Sequence, residues 1–251
     1  MEGQQRRSAI VTGGGSGIGR ATVLALAAGG TRVWAVGRDA GRLERVRREA
    51  TGPGEVAARA FDASDAAAMD RLIDEAEPDL IVHAAGARPR LALAHEQTWD
   101  SFSEPWNVDL KIAFQLGQTA IRRPLRPGSL VVFVSSGAGL GGSPLSGGYA
   151  GAKRMQMFLA GYFQRSVQAT GRGIRFVAMV PKQLVAGTEL AEQAADAYAA
   201  LNGISRDKYM ERFGAPLTAD GVARAIVGLA RGELGREGNV IGVTGAGTEA
   251  L

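Results

Sequence analysis

Three residues of the sequence have the types and the spacing to handle a proton beside a carbonyl or alcohol oxygen. Tyr149 and Lys153 are four residues apart, so their side chains lie on the same face of a helix. A phenol with an ordinary pKa of about 10 exchanges protons poorly at neutral pH unless a nearby cation stabilises the phenolate. Ser136 follows the apolar run Leu130–Val134 and can hydrogen-bond the reacting oxygen, with Ser135 as its competitor. The spacing predicts an acid–base site.

Short apolar runs alternate with helical patterns along the chain, and these elements must position the three residues. Seven runs are predicted as strands: Ser8–Val11, Arg32–Val36, Val56–Phe61, Leu80–His83, Leu130–Val134, Ile174–Val180 and Asn239–Val243. Apolar residues three and four positions apart predict helices at Ile18–Ala28, Ala40–Ala50, Ala66–Glu75 and Thr218–Arg231. The alternation predicts a doubly wound, Rossmann-type α/β fold, in which a parallel seven-stranded sheet has helices on both faces and binds ligands at the carboxyl ends of its strands.

The segment Leu184–Pro216 interrupts this alternation, and we interpret residues 184–216 as a helical lid over the site. Signals for helix starts and ends occur within it at Thr188, Asn202, Gly203, Ser205 and Gly214. Apolar side chains of the lid and of the loop after Ser136 either line an apolar pocket or only pack the lid onto the body; they are Leu140, Leu145, Leu184, Val185, Leu190, Tyr198, Leu201, Tyr209, Met210 and Phe213.

Composition and charge argue against several other classes of protein. The chain contains no cysteine, which excludes disulfides and thiolate metal sites. Its formal charge of +4 comes from dispersed arginines without aromatic platforms, a pattern that does not favour nucleic-acid binding. No apolar run approaches about 18 residues, and the start lacks the apolar segment of a secretory signal. His95 has no acid partner that the sequence places near it. We expect a cytoplasmic protein without metal, membrane or nucleic-acid partners.

A glycine-rich turn joins the first predicted strand to the first predicted helix. It reads Thr12-Gly13-Gly14-Gly15-Ser16-Gly17-Ile18-Gly19. Gly13 permits the tight turn, Gly17 lets backbone N–H groups approach a pyrophosphate, and Gly19 lets the helix pack closely on the strand. A phosphate at this place also meets the positive end of the helix dipole. This context predicts a dinucleotide site to which Gly15, Ser16 and Ile18 also belong.

The order of these motifs resembles the short-chain dehydrogenase/reductase family over nearly the whole chain. The shared features are the Thr-Gly-x-x-x-Gly-x-Gly turn, Ser136 and the Tyr149-x-x-x-Lys153 pair. The resemblance implies an NAD(P)-dependent oxidoreductase in which Tyr149 protonates the substrate oxygen, Ser136 orients that oxygen, and Lys153 also binds the nicotinamide ribose. It further implies that Asn107 is the helix asparagine that holds a water in a proton relay with Lys153. The alternative for Asn107 is an ordinary polar helix residue.

The end of the fourth predicted strand departs from the family pattern at one position. Relatives usually have Asn-Asn-Ala-Gly, and here His83-Ala84-Ala85-Gly86 stands. The resemblance implies cofactor contacts from Ala84, Ala85 and Gly86. A lone histidine at the end of a buried strand is more often a hydrogen-bonded structural group than a proton carrier, so we assign His83 no catalytic role.

The residues after the second predicted strand favour NADP over NAD. An acidic residue there would bind the ribose hydroxyls of NAD and repel the 2′-phosphate of NADP. The chain has Gly37 and Arg38 there instead, and the Arg38 guanidinium can pair with a phosphate, with Arg42 one turn further along as a candidate helper. The alternative is a surface arginine beside Asp39. The resemblance places Asp62 at the adenine, although an aspartate there can equally cap the next helix.

The residues after the sixth predicted strand also depart from the family pattern, which usually has Pro-Gly followed shortly by Thr. Here Pro181 is followed by Lys182, and Thr188 is the candidate for the threonine although it lies farther along the chain. The resemblance implies that Pro181 and Thr188 contact the cofactor. Lys182 either contacts an acidic substrate group or the pyrophosphate, or points to solvent, which is the interpretation we favour.

The residues and the resemblance together predict an NADP-dependent oxidoreductase that interconverts a carbonyl and an alcohol, acting as a reductase in the cell. We expect residues 1–251 to form a single dinucleotide-binding catalytic domain that takes a small, partly apolar substrate. The main alternative is a noncatalytic NADP-binding sensor or scaffold, which does not need the Ser136, Tyr149 and Lys153 set. A homodimer or homotetramer is expected, with aromatic side chains that pack either between subunits or in the core: Trp99, Phe102, Trp106, Phe158, Tyr162 and Phe163.

Overall fold

The computed structural model describes residues 7–123, 125–234 and 238–251 of the chain. The first six residues, which contribute to the expectation about a secretory signal, lie outside the described residues. The strands are β1 (Ser8–Thr12), β2 (Arg32–Gly37), β3 (Val56–Ala60), β4 (Leu80–His83), β5 (Leu130–Val134), β6 (Arg175–Pro181), β7 (Val185–Ala186), β8 (Leu217–Thr218), β9 (Val240–Thr244) and β10 (Gly247–Ala250).

The helices fill the connections between these strands. They are α1 (Gly17–Ala28), α2 (Ala40–Glu49), α3 (Ala66–Ala76), α4 (Trp99–Pro105), α5 (Lys111–Arg122), α6 (Ala138–Gly141), α7 (Gly147–Ala169), α8 (Glu189–Leu201), α9 (Arg206–Glu211) and α10 (Ala219–Arg231). A 3₁₀ turn at Ala94–Glu96 precedes α4, and a π-helical segment at Trp106–Leu110 joins α4 to α5.

The main sheet has eight strands in the order β10-β9-β6-β5-β4-β1-β2-β3. Its neighbours pair in parallel except β10, which is antiparallel to β9. The predicted doubly wound α/β fold is confirmed, and each of the seven predicted strands is present. The apolar pattern does not predict β10, because all four of its residues are exposed. The sheet therefore has eight strands rather than seven.

The sheet changes its direction of winding at β1, which pairs with β2 on one side and with β4 on the other. Parallel α/β sheets open a crevice at such a point, outside the carboxyl ends of the strands. Thr12 ends β1 and His83 ends β4, and the two residues are register partners. The glycine turn after Thr12 and the His83–Gly86 segment therefore form the two sides of the crevice.

The core lies on both faces of the sheet because successive strand residues point in opposite directions. In β1, Ala9 and Val11 join one buried cluster, and Ile10 joins the cluster on the opposite face. The first cluster includes residues of α1, α2 and α10, and the second includes residues of α3, α5 and α7. Burial on both faces explains why the strands are apolar throughout.

The segment from β7 to β8 forms a separate helical layer. Thr188 begins α8 by accepting a hydrogen bond from the Ala191 amide, and Ser205 begins α9 in the same way. Residues of α8 and α9 form a small buried cluster of their own, centred on Ala195, Ala199 and Tyr209. Several of the apolar side chains of residues 184–216 thus pack against one another.

Candidate active site

One large cleft lies at the carboxyl ends of the strands, and it brings together most of the residues singled out in the sequence. Those that line it are Gly13, Gly15, Ser16, Gly17, Ile18, Arg38, Asp62, Ala84, Ala85, Gly86, Ser136, Tyr149, Lys153, Pro181 and Thr188. Two predicted site residues, Gly19 and Asn107, are not among its lining residues.

The glycine turn has the shape of a cradle for a dinucleotide. Gly13 has a φ of +70°, and a Cβ on it would lie 2.7 Å from backbone atoms of Ala84. A Cβ on Gly19 would lie 2.1 Å from the carbonyl oxygen of Gly13, so Gly19 acts through helix–strand packing rather than by lining the cleft. Ser16 begins α1 without a side-chain cap, and the first turn of α1 holds no acidic residue. The first N–H groups of α1 are thus available to a phosphate, and the residues fit a dinucleotide.

The far end of the cleft carries Arg38 and Asp62 on neighbouring strand ends. Arg38 is exposed, and no carboxylate of the described residues lies within ion-pair distance of it. The backbone and side chain of Ser64 donate hydrogen bonds to Asp62 and hold the pKa of its carboxyl below the usual value, and the Arg38 charge lowers it further. The helix after Asp62 is capped by Asp65, not by Asp62. The capping alternative for Asp62 is therefore wrong.

Arg42 differs from Arg38 because it is already paired. Its guanidinium lies 3.4 Å from a carboxylate oxygen of Asp39 and 3.4 Å from one of Glu189 at the start of α8. Arg88, from the loop after β4, also pairs with Glu189. Glu189 therefore connects the first turn of α8 to α2 and to the loop after β4 through exposed ion pairs.

The two adjacent serines after β5 have different environments. Ser135 is buried, and its hydroxyl donates a 2.7 Å hydrogen bond to the backbone oxygen of Lys153, which fixes α7 against β5. Ser136 is half-buried and lines the cleft, and its hydroxyl oxygen accepts a hydrogen bond from the Ala138 amide. Ser136 is therefore the serine whose hydroxyl hydrogen is free for a substrate oxygen.

Tyr149 and Lys153 lie on the same face of α7, as their spacing predicts. Lys153 Nζ lies 5.4 Å from the centre of the Tyr149 ring. It donates to the Val134 carbonyl oxygen at 3.0 Å and to Gln156 Oε1 at 3.3 Å. Burial by itself lowers the pKa of Lys153, but the Asp109 carboxylate and Tyr149 outweigh it, so the pKa is raised above the ordinary value. Lys153 is a buried cation.

Asp109, not Asn107, is the helix residue beside Lys153. Asp109 is fully buried, and its Oδ2 lies 3.0 Å from Lys153 Nζ. Asn107 is exposed and donates a long 3.4 Å hydrogen bond to Ser103 instead. The structure thus corrects the expectation that Asn107 interacts with Lys153. A sequence signal was present, because Asp109 lies three and seven residues before the buried Ile112 and Leu116 and so shares their helical face.

His83 is fully buried and has a protein partner at each ring nitrogen. A carbonyl oxygen only accepts, so Nε2 donates to the Asp109 backbone oxygen at 2.9 Å, and Nδ1 accepts from the Thr12 hydroxyl at 2.9 Å. Thr12 Oγ1 in turn accepts from the Ala85 amide. Burial, and then the charge of Lys153, lower the pKa of His83 to about 4, so the ring is neutral at pH 7. The geometry agrees with the structural interpretation of this histidine.

Lys182 lies at the rim of the cleft, and its side chain reaches an exposed strand at the sheet edge. Its ammonium pairs with Glu249 of β10 across Gly242. Lys182 is exposed, which agrees with the solvent-facing interpretation, and its ammonium is paired with a carboxylate. The strand that the sequence pattern missed thus supplies the partner of the residue whose role was open.

The substrate end of the cleft lies under α8 and α9. Tyr198 stacks on Tyr209 with ring centres 5.7 Å apart, and its hydroxyl hydrogen-bonds Ser143 in the loop before α7. Leu184, Val185, Leu190, Tyr198, Leu201, Tyr209 and Phe213 also line the cleft. The pocket wall is therefore largely apolar on this side, with serine and tyrosine hydroxyls at its rim.

The described part of the chain holds no group of three or more histidine or acidic side chains arranged to bind a metal ion. None of its helices is long and apolar enough to span a membrane.

The chain matches known proteins at the level of family and fold. A family model described as short chain dehydrogenase matches residues 7–199. The chain is 37% identical over 135 residues to an L-xylulose reductase of Mesocricetus auratus, a match that covers 53% of this chain and 54% of that protein. It is 30% identical over 249 residues to the 3-oxoacyl-(acyl-carrier-protein) reductase FabG of Thermotoga maritima, covering 94% of this chain and 95% of that one.

A solved structure titled as levodione reductase has the same fold. It superposes with a TM-score of 0.82 over 96% of each chain, at 23% sequence identity. The L-xylulose reductase match, by contrast, spans only about half the length of each protein. The match of residues 7–199, the crevice with its glycine turn, and the Tyr149–Lys153 pair agree with one another. The chain belongs to the short-chain dehydrogenase/reductase family.

Proposed function

We propose that the chain is an NADP-dependent reductase of small carbonyl compounds, with Ser136, Tyr149 and Lys153 as catalytic residues. The observation that carries the proposal is the convergence of the glycine turn, Arg38 and these three residues on one cleft. A sensor or scaffold that only bound the nucleotide would need the first two features but not the third.

The chain's own groups divide the work of carbonyl reduction. The Ser136 hydroxyl donates a hydrogen bond to the substrate oxygen and orients it. The Tyr149 hydroxyl gives its proton to that oxygen as negative charge develops on it, and the Lys153 ammonium stabilises the phenolate left behind. When bound, the nicotinamide would supply the hydride that no side chain can provide.

The preference for NADP rests on Arg38. A guanidinium without a carboxylate partner at this end of the cleft suits a 2′-phosphate. The neighbouring Asp39 caps α2 and pairs with Arg42, which leaves it less suited to the ribose hydroxyls of NAD. The glycine turn and α1 hold the pyrophosphate in this proposal, and Asp62 contacts the adenine. The remaining proposed contacts are Ala84, Ala85, Gly86, Pro181 and Thr188.

The proposed substrate is partly apolar, because the pocket wall formed by α8 and α9 is lined mainly by apolar side chains. The names of the relatives, an L-xylulose reductase and an oxoacyl reductase, support a ketone as the reacting group.

We also propose a homo-oligomer, because four aromatic side chains of α4, α5 and α7 are at least 40% exposed: Trp99, Phe114, Phe158 and Tyr162. Phe163 is not part of this exposed aromatic surface, because it is 2% exposed and packs in the core. A cytoplasmic location stays a prediction.

The proposal is tested by titrating the purified protein with NADPH and NADH while following cofactor fluorescence, and then by screening ketones and aldehydes for NADPH oxidation. Tight NADPH binding with turnover of at least one carbonyl compound is the expected result. NADPH binding without turnover on a broad panel would favour the sensor, and a preference for NADH would overturn the role given to Arg38. Light scattering at several concentrations tests the oligomer.

A further inference from the structure

One arginine at the substrate end of the cleft has no carboxylate partner. Arg212 directly follows α9, and its exposed side chain lines the cleft. No carboxylate of the described residues lies within ion-pair distance of its guanidinium. This holds also for Asp220 of α10, although Asp220 lines the same cleft. The charge of Arg212 is therefore available to an anion that enters the cleft.

The cations around Arg212 differ from it because they are already paired. Arg88 and Lys182 also line the cleft, and they pair with carboxylates of α8 and β10. Arg206, the first residue of α9, pairs with two carboxylates of α8. The substrate end thus resembles the opposite end of the cleft, where Arg38 is the arginine without a carboxylate partner.

Aromatic rings hold the Arg212 guanidinium in place. Its central carbon, Cζ, lies 5.1 Å from the ring centre of Tyr209 and 5.7 Å from that of Phe213. Tyr209 is buried and stacks on Tyr198, whose hydroxyl hydrogen-bonds Ser143 in the loop before α7. Stacking on a ring uses the face of a guanidinium and leaves N–H groups at its edge for a bidentate carboxylate. The Tyr209 hydroxyl also interacts with Arg212, but a guanidinium has five N–H donors.

A second set of contacts connects this arginine to the catalytic serine. The side-chain amide of Gln183 donates to the carbonyl oxygen of Phe213, the residue after Arg212. Gln183 lies two residues after Pro181, whose carbonyl oxygen accepts a 2.7 Å hydrogen bond from the Gly137 amide. Gly137 directly follows Ser136. The segment that carries Arg212 is thus attached to the strand end beside the reacting centre.

We propose that Arg212 is a substrate-binding residue that pairs with a carboxylate, and that the substrate is an oxo acid with an apolar chain between its carbonyl and its carboxylate. The proposal rests on the proposed reduction of a carbonyl at Ser136 and Tyr149. The carbonyl then lies at these two residues, the chain lies along the apolar wall of α8 and α9, and the carboxylate reaches Arg212. A carboxylate fits better than a phosphate, because a single guanidinium offsets a single negative charge.

The test compares each oxo acid with its own uncharged ester. NADPH oxidation is measured with 5-oxohexanoate and 7-oxooctanoate and with the methyl esters of both. In the wild-type protein, we expect kcat/KM to be about tenfold higher for at least one acid than for its ester, because only the acid pairs with Arg212. Arg212→Gln should remove this preference by raising KM for the acid, with kcat within threefold of wild type and the constants of the ester unchanged.

The matched control is Arg206→Gln, which removes another exposed arginine from the same helical layer and should keep the preference for the acid. Equal kcat/KM for acid and ester in the wild-type protein, or an ester that is preferred, overturns the proposal. A preference that survives in Arg212→Gln overturns it as well.

A measurement without turnover separates this proposal from the proposed function. If no carbonyl compound of a broad panel is reduced, the proposed function fails, and thermal unfolding with hexanoate and with hexanamide then decides the role of Arg212. Hexanoate should raise the unfolding midpoint of the wild-type protein and of Arg206→Gln more than hexanamide does, and should lose this advantage in Arg212→Gln. An equal effect of the two compounds on the wild-type protein would contradict carboxylate binding.

Discussion

The two ends of the cleft hold their charged groups in opposite ways. At the catalytic end, Lys153 and Asp109 are 6% and 0% exposed and form a closed set of contacts. At the other end, Arg42 and Arg88 share Glu189 in exposed ion pairs. Exposed pairs contribute little to stability and weaken with salt, whereas breaking a buried pair is strongly destabilising.

This difference suggests a division between chemistry and binding. The buried contacts join the ends of β1, β4 and β5 to the π-helical segment and α7, so a change at any of them should move the Tyr149–Lys153 pair. The exposed pairs can exchange partners when an anion arrives. We expect substitutions at the catalytic end to change kcat and stability, and substitutions at the other end to change cofactor affinity with little effect on stability.

The largest effect is expected when the buried pair is broken from one side. Lys153→Met leaves the Asp109 carboxylate buried and unpaired, and should lower the free energy of unfolding by about 3 kcal/mol. The double variant Lys153→Met/Asp109→Asn removes both charges and should recover most of that loss in urea unfolding. Neither variant should reduce a carbonyl substrate, because both lack the Lys153 ammonium. If the double variant were as unstable as the single one, the ion pair would not be what stabilises this end.

A smaller effect is expected at the glycine opposite the pair. Gly86→Ala places a methyl group against Asp109 Oδ2, and should reduce kcat by about tenfold and the free energy of unfolding by about 2 kcal/mol. Gly141→Ala is the matched control, because nothing lies within 4 Å of a Cβ there. Equal kcat for the two variants would show that the position of the carboxylate does not matter to the chemistry.

The buried His83 makes the free energy of unfolding depend on pH. Its pKa is about 4 in the folded protein and about 6.5 when unfolded, so the unfolded state takes up the proton first as pH falls. Stability is therefore complete above pH 6.5 and is lost towards pH 4, with about 2 kcal/mol gone at pH 5. His83→Asn should remove this part of the acid dependence of urea unfolding. Replacement of the exposed His95 should not, and an effect of equal size there would contradict the assignment.

The smallest effect is expected at the exposed end. Arg38→Ala should weaken NADPH binding about tenfold and NADH binding less than twofold, because only NADPH has the 2′-phosphate. Arg71→Ala, an exposed change on α3 outside the cleft, is the control for lost charge. The midpoint of thermal unfolding should be the same for the wild-type protein, Arg38→Ala and Arg71→Ala. A similar loss of affinity for both cofactors would place Arg38 away from the 2′-phosphate.

The sequence predicts the strands that are buried on both faces well. It predicts less well the contacts between side chains that are distant along the chain. Strands buried on both faces give apolar runs, so β1 to β6 and β9 can be predicted with ends within one residue. The exposed β10 gives no such run, and the partner of Lys182 on it could not be predicted. Asn107 was favoured because the family resemblance points to an asparagine. Apolar spacing places Asp109 on the buried face of its helix, but its ion pair with Lys153 and its packing under Gly86 depend on contacts between distant elements, which spacing along the chain does not encode.

The central claim is that Tyr149 gives the proton in carbonyl reduction. It is tested most directly by comparing Tyr149→Phe with Tyr162→Phe, which removes an exposed hydroxyl from the same helix. NADPH oxidation is measured at saturating cofactor with a carbonyl substrate found in the screen. The account predicts that kcat falls by about 10²- to 10⁴-fold in Tyr149→Phe, with the Kd for NADPH unchanged within threefold, and that Tyr162→Phe behaves as wild type. Retention of turnover in Tyr149→Phe would contradict it.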